Sequence, residues 1–176
     1  MAVYTKISKK DISYINRKFD IEKILEFKGI KQGIENTNYL LKSKNKKFIL
    51  TIFEKRVSKK ELPFFMNLMD KLNKSKINCP KPQTKKDGGY LINLKNKAAC
   101  IVSFLNGKDK KSLNFKNCYD IGKMIAEMHQ STKKMNLTRK NSMGVRNLNP
   151  LLKSIRFKSK KFTNVEKFLK NNFKDI

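Results

Sequence analysis

Apolar and polar positions alternate most clearly between residues 25 and 54. Residues 25–31, 39–42 and 48–54 are rich in Ile, Leu and aromatic side chains and read as strands. The connection at 42–47 contains only Lys, Ser and Asn, so the last two strands read as a hairpin. Residues 58–74 switch to a helical period, with Leu62, Phe65, Met69 and Leu72 recurring every three or four positions. Pro63 falls near the first turn of that helix, where a missing N–H is harmless. Cys79-Pro80-Lys81-Pro82 reads as an extended connector. A second hairpin follows, with 83–86 and 90–94 around a turn at Asp87-Gly88-Gly89, and then 98–104 after a further turn. The pattern predicts an α+β fold, a five-stranded antiparallel sheet with one inserted helix.

The flanks are helical. Between residues 9 and 27, Ile12, Ile15, Phe19, Ile24 and Leu25 predict one or two short pieces packed on the sheet, capped by Ser8 or Asp11. Asn106-Gly107-Lys108 ends the sheet and marks a boundary between a unit at 1–106 and one at 107–176. Residues 114–131 form a second helix with Cys118, Ile121, Ile125 and Met128 on one face, and Gly122 allows close packing. Residues 133–150 are polar and irregular, and 151–173 carry a weak helical period.

At 176 residues the chain is long enough for one domain with a real core. No apolar stretch reaches 18 residues, and the N-terminus lacks the apolar core of a signal peptide, so the expectation is a cytoplasmic protein with no membrane partner. The three cysteines, Cys79, Cys100 and Cys118, form no C-x-x-C and read as reduced thiols, with no metal site. The net charge of +28 raises the question of nucleic acid. Its carriers are nearly all scattered lysines, with only Arg17, Arg56, Arg139, Arg146 and Arg156 as arginines. Specific nucleic-acid readers favour arginine and exposed aromatics. A solvated lysine surface with no specific nucleic-acid partner is therefore the reading.

Candidate chemistry lies at the turn between the first two strands. Gly29 and Gly33 bracket it, and the small polar run Glu35-Asn36-Thr37-Asn38 follows. A glycine-bearing turn lets backbone N–H groups approach a phosphate, because no Cβ intervenes. Asn36, Thr37 and Asn38 add hydrogen-bond donors. The same run also suits a turn that only stabilises itself.

The motifs G-I-x-x-G-I-E-N-T-N-Y-L-L, F-I-L-T-I-F-E-K-R, E-L-P-F-F-x-x-L-M, C-P-x-P and V-S-F-L-x-G occur in that order between residues 29 and 107. Together they resemble the N-terminal half of the bacterial homoserine kinases, of the aminoglycoside/choline-kinase-like superfamily. The resemblance implies a protein-kinase-like N-lobe followed by the first helices of an incomplete C-lobe. It implies ATP and L-homoserine as small-molecule partners, and Mg²⁺ with its ligands expected in the missing lobe. The implied ATP-binding positions are Gly33, Glu35, Asn36, Thr37 and Asn38 over the phosphates. Thr51 and Lys55 lie on the third strand, and Ser103, Phe104 and Leu105 form the hinge beside the adenine. Thr51 occupies the place where the superfamily carries a strand lysine, and Glu61 or Asp70 is the candidate acidic partner. No catalytic residue is expected here, because the superfamily's H-x-D-x-x-x-x-N loop does not occur. The single histidine, His129, has no Asp two residues on, which points to packing or capping. Asn141-Ser142-Met143-Gly144 resembles a stretch between lobes on the substrate side. The expected protein is a fragment that transfers no phosphate alone. The alternatives are a kinase of another small hydroxylated amine or an aminoglycoside on the same fold, and a basic nucleic-acid-binding module.

Overall fold

Ser8 and Asp11 start the first helix, α1 (Lys9–Lys18), by capping each other: the Asp11 amide donates to Ser8 Oγ, and the Ser8 amide donates to Asp11 Oδ2 at 2.8 Å. The structure is a computed structural model that describes residues 3–54, 58–136, 138–141, 144, 164, 167–168 and 171. Five strands follow α1: β1 (Glu26–Gly29), β2 (Thr37–Lys42), β3 (Lys47–Ile52), β4 (Leu91–Leu94) and β5 (Lys97–Ser103). They form one antiparallel sheet in the order β1-β2-β3-β5-β4. The helix α2 (Leu62–Lys74) is inserted between β3 and β4, and α3 (Phe115–Thr132) follows the sheet. The expected α+β architecture is present.

Strand alternation decides which helix covers which face. Tyr39 and Leu41 of β2, Phe48, Leu50 and Ile52 of β3, and Ala99 and Ile101 of β5 join Ile12 and Ile15 of α1 in the main core. Phe19, Ile24, Ile92 and Leu94 complete it. The alternate residues Ile49, Phe53, Cys100 and Val102 meet Phe65, Met66 and Met69 of α2 on the opposite face. Fully burying one such Leu or Phe contributes about 1.5–3 kcal/mol. The β4–β5 hairpin closes through Lys95 and Asn96, at φ +54° and +63°. Two residues at positive φ match the twist of a tight hairpin.

Three details differ from the pattern-based reading. Residues 83–86 do not form a strand paired with β4. The segment instead adds to β5: the Gln83 amide donates to Ile101 O at 2.8 Å, and the Ser103 amide to Lys81 O at 2.8 Å. The reason is that β4 begins opposite Cys100, which leaves the later half of β5 an open edge. The Pro80–Pro82 route, already extended, fills it. Helix α2 begins at Leu62, four residues later than residue 58, with Pro63 in its first turn. Helix α3 buries none of its residues: Phe115, Tyr119, Ile121, Met124 and Ile125 are exposed, and a Cβ built on Gly122 meets open space. The apolar face expected from Cys118, Ile121, Ile125 and Met128 is formed, but only Met128 is half-buried.

The chain divides into two compact units, Met1–Leu137 and Thr138–Ile176, so the boundary read at 106/107 lies inside the first. Most of the weak helical period at 151–173 lies outside the described residues. No helix of the described residues is long and apolar enough to cross a membrane.

Candidate functional site

The polar run after Gly33 enters the sheet at β2, and the strand period splits it. Asn38 points to the α2 face and Thr37 to the α1 face, two different environments one residue apart. Gly33 has φ +105°, a conformation that a residue with a Cβ adopts only under strain. Beyond it Ile34 and Glu35 are exposed.

On the α2 face, Asn38 sits opposite Thr51 in the β2–β3 register. The Thr51 hydroxyl donates to Asn38 Oδ1 at 2.8 Å. The Glu54 amide donates to Asn36 Oδ1 at 3.4 Å. Both carboxamide oxygens are thus turned onto the protein, and each side chain keeps its two N–H donors to offer a ligand. Two amides that present N–H donors beside a glycine turn form a set suited to an anion. Thr51, read as the strand-lysine position, holds Asn38 Oδ1.

Thr37 lies on the other face. It is fully buried, and its hydroxyl is committed. It donates to Glu54 Oε1 at 2.6 Å and accepts from the Tyr4 and Thr5 amides at 2.9 and 3.1 Å. It has no hydrogen left for a phosphate. Thr37 belongs to a cluster at the end of β3 that sequence reasoning did not assemble. Glu54 Oε1 also accepts from the Thr5 hydroxyl at 2.7 Å, and Glu54 Oε2 is paired with Lys97 at the start of β5. The Lys97 ammonium donates again to Thr5 Oγ1 at 2.7 Å. Burial acts to raise the Glu54 pKa, but hydrogen bonds from Lys97, Thr37 and Thr5, with the Lys97 charge, outweigh it and hold the carboxyl below its ordinary value. One signal was available. Glu54 continues the parity of Phe48, Leu50 and Ile52, so an acid was due on a buried face and required a cation. Which cation was not legible.

The other predicted positions separate. Lys55 lies outside the described residues, as do Ser142 and Met143. Asp70 pairs with Lys74 at 2.8 Å on α2 rather than serving β3. Glu61 stands at the start of α2. At the strand end, the Ser103 amide is engaged by Lys81 O and the Phe104 amide by Lys47 O at 3.2 Å. Two of the three hinge donors therefore serve the sheet. Phe104 and Leu105 remain exposed, and Lys47 Nζ stands 5.7 Å from the Phe104 ring centre. This end of β5 offers apolar surface and Leu105 backbone to a flat ligand. His129 lines a cavity of about 310 Å³ with Phe64, Leu68, Met128, Thr132 and Met135, between α2 and α3. Burial pushes the Cys100 thiol up to about 12, which suits a core residue and not a nucleophile. Among the described residues no group of three or more His, Cys, Asp or Glu side chains comes together where it could hold a metal ion.

Residues 26–157 match the model of the phosphotransferase enzyme family, APH. The homoserine kinase of Paramagnetospirillum magneticum is 40% identical over 156 residues, covering 89% of this chain and 48% of that protein. The homoserine kinase of Rhizobium etli is 38% identical over 145 residues, covering 82% of this chain and 45% of its own length. The chain thus spans about half the length of these relatives. Among solved structures, spectinomycin phosphotransferase APH(9)-Ia in complex with ADP and spectinomycin aligns with a TM-score of 0.63 at 15% identity. That alignment covers 96% of this chain and 54% of the other. The microcompartment-associated aminopropanol kinase aligns with a TM-score of 0.61 at 13% identity, over 82% of this chain and 48% of that one. Both are likenesses of fold.

Proposed function

The chain belongs to the phosphotransferase enzyme family, and from that membership we propose that it is the nucleotide-binding half of a cytoplasmic homoserine kinase, which transfers the γ-phosphate of ATP to the side-chain hydroxyl of L-homoserine in threonine biosynthesis. The observation that carries the reading is the pair of asparagine amides at the Gly33 turn, Asn36 and Asn38, each with its oxygen held by the protein and its N–H groups left for a ligand. Phosphoryl transfer asks little covalent chemistry of a protein. It asks for positioned donors around a charge that spreads over phosphate oxygens. Donors fixed in advance need no reorganisation when that charge develops.

In this reading the triphosphate lies under the turn, and the adenine lies against Phe104 and Leu105 at the end of β5. Gly33 and Glu35 line the turn through their backbone, since the Glu35 carboxylate opposes the phosphate charge. The residues that orient the acceptor hydroxyl and hold Mg²⁺ belong to a second lobe. The 176-residue chain alone then binds nucleotide weakly and transfers no phosphate, because one wall of the cleft is missing and water keeps the dielectric high.

The test has two arms. ADP and ATP are titrated calorimetrically into the 176-residue chain, and the complete gene product is offered ATP with L-homoserine, other hydroxylated amines and aminoglycosides. Nucleotide binding by the chain and preferred turnover of homoserine are expected. A chain that binds no nucleotide, or a gene product that prefers an aminoglycoside, refutes the proposal.

A further inference from the structure

We infer that Glu54, paired with Lys97, is a positioning residue that sets the pose of the Gly33–Asn36 turn through a clamp made with the N-terminal segment. This deepens the nucleotide-site reading and rests on it for its functional half. Glu54 holds the foot of the turn from two directions. Its backbone amide donates to Asn36 Oδ1 at 3.4 Å, and its carboxylate accepts from Thr37 Oγ1 at 2.6 Å. The N-terminal segment closes the clamp. The Tyr4 and Thr5 amides donate to Thr37 Oγ1, the Thr5 hydroxyl donates to Glu54 Oε1, and the Tyr4 hydroxyl reaches over the turn to donate to Ile34 O at 3.0 Å. Tyr39 anchors the same segment, donating to Thr5 O at 3.0 Å and accepting from the Ile7 amide at 3.3 Å.

Lys97 is the counter-charge that lets the Glu54 carboxylate, on a side chain only 9% exposed, remain in this place. The Glu54 carboxylate sits on the α1 side of the sheet, while the ligand-facing donor of Asn38 sits on the α2 side. Glu54 therefore acts without touching the ligand. The Thr5, Thr37 and Tyr39 hydroxyls each both donate and accept, which leaves each of them a single orientation.

The test uses the whole 176-residue chain and two readouts, hydrogen–deuterium exchange and nucleotide affinity. Glu54→Ala opens the clamp but risks the fold, so Glu54→Gln and Lys97→Met are made beside it, with Lys97→Arg as the conservative control. The expected result is faster exchange confined to residues 3–7 and 33–38 in Glu54→Gln and Lys97→Met. ATP affinity falls by a factor of about 10 while adenosine affinity is unchanged, because the phosphates meet the turn and the base does not. Lys97→Arg restores both. A general loss of fold would lower ATP and adenosine affinity together, and that outcome overturns the inference. So does unchanged exchange at 33–38. If the parent chain binds neither ATP nor adenosine, the kinase reading fails, and the exchange result alone decides whether the clamp sets the turn.

Discussion

Replacing Thr37 with valine removes one oxygen and keeps the shape of the side chain. That oxygen makes three hydrogen bonds at a position with no exposure. The bond to Glu54 is charge-assisted, and losing such a bond costs about 1.5–3 kcal/mol. The Thr5 amide is buried and is left without its acceptor, which costs about 1–3 kcal/mol. The Tyr4 amide is only partly buried and recovers most of its loss from water. The sum is about 2.5–6 kcal/mol. With a urea slope of about 2 kcal/mol/M, the denaturation midpoint falls by about 2 M. Thr37→Ser is the control. It keeps the oxygen and removes one buried methyl, which costs about 1 kcal/mol. Urea titrations of the three proteins, followed by circular dichroism, measure the difference. A valine variant no less stable than the serine variant would refute the account of Thr37 as the hub of the clamp.

Asn36→Asp preserves the acceptor for the Glu54 amide but replaces two N–H donors with a negative charge; calorimetry should show ATP affinity reduced at least about tenfold, and an unchanged affinity would remove Asn36 from the site. The depressed Glu54 pKa adds stability that is fully present above about 4.5, the ordinary value, and is lost as pH falls through the lower folded value. Urea midpoints between pH 6 and 3 should therefore decline less steeply in Glu54→Gln than in the parent, and parallel curves would contradict the linkage. Thiol labelling under native conditions should modify exposed Cys118 first and Cys100 only on unfolding; early labelling of Cys100 would contradict its burial. Polyanion binding from the +28 charge should be sequence-independent and fall steeply between 50 and about 200 mM salt, as counterion release requires. Sequence-selective DNA binding that survives physiological salt would favour the nucleic-acid alternative over the kinase.

Much of the fold was legible because its signals are local. The period of two in residues 48–53 and the period of three to four in 62–72 depend only on neighbours along the chain. They yielded the sheet and the inserted helix. The Ser8–Asp11 cap was readable for the same reason. The glycine turn and the asparagines beside it were found as a candidate, since positive φ and amide donors are properties of residue types. What those donors face was decided elsewhere. Thr37 looked equivalent to Asn36 and Asn38, yet β2 turns it to the buried face, where residues 5 and 54 claim its hydroxyl. Alternation could have revealed the direction, but not the partners. Residues 5, 37, 54 and 97 meet only because β3 pairs with both β2 and β5 and the N-terminal segment crosses the sheet end. The later half of β5 gained Lys81 and Gln83 as neighbours because β4 is short, again a matter of register. Local spacing specifies which face a side chain occupies; which distant group waits there is set by strand order and register, and those exist only once the sheet has formed.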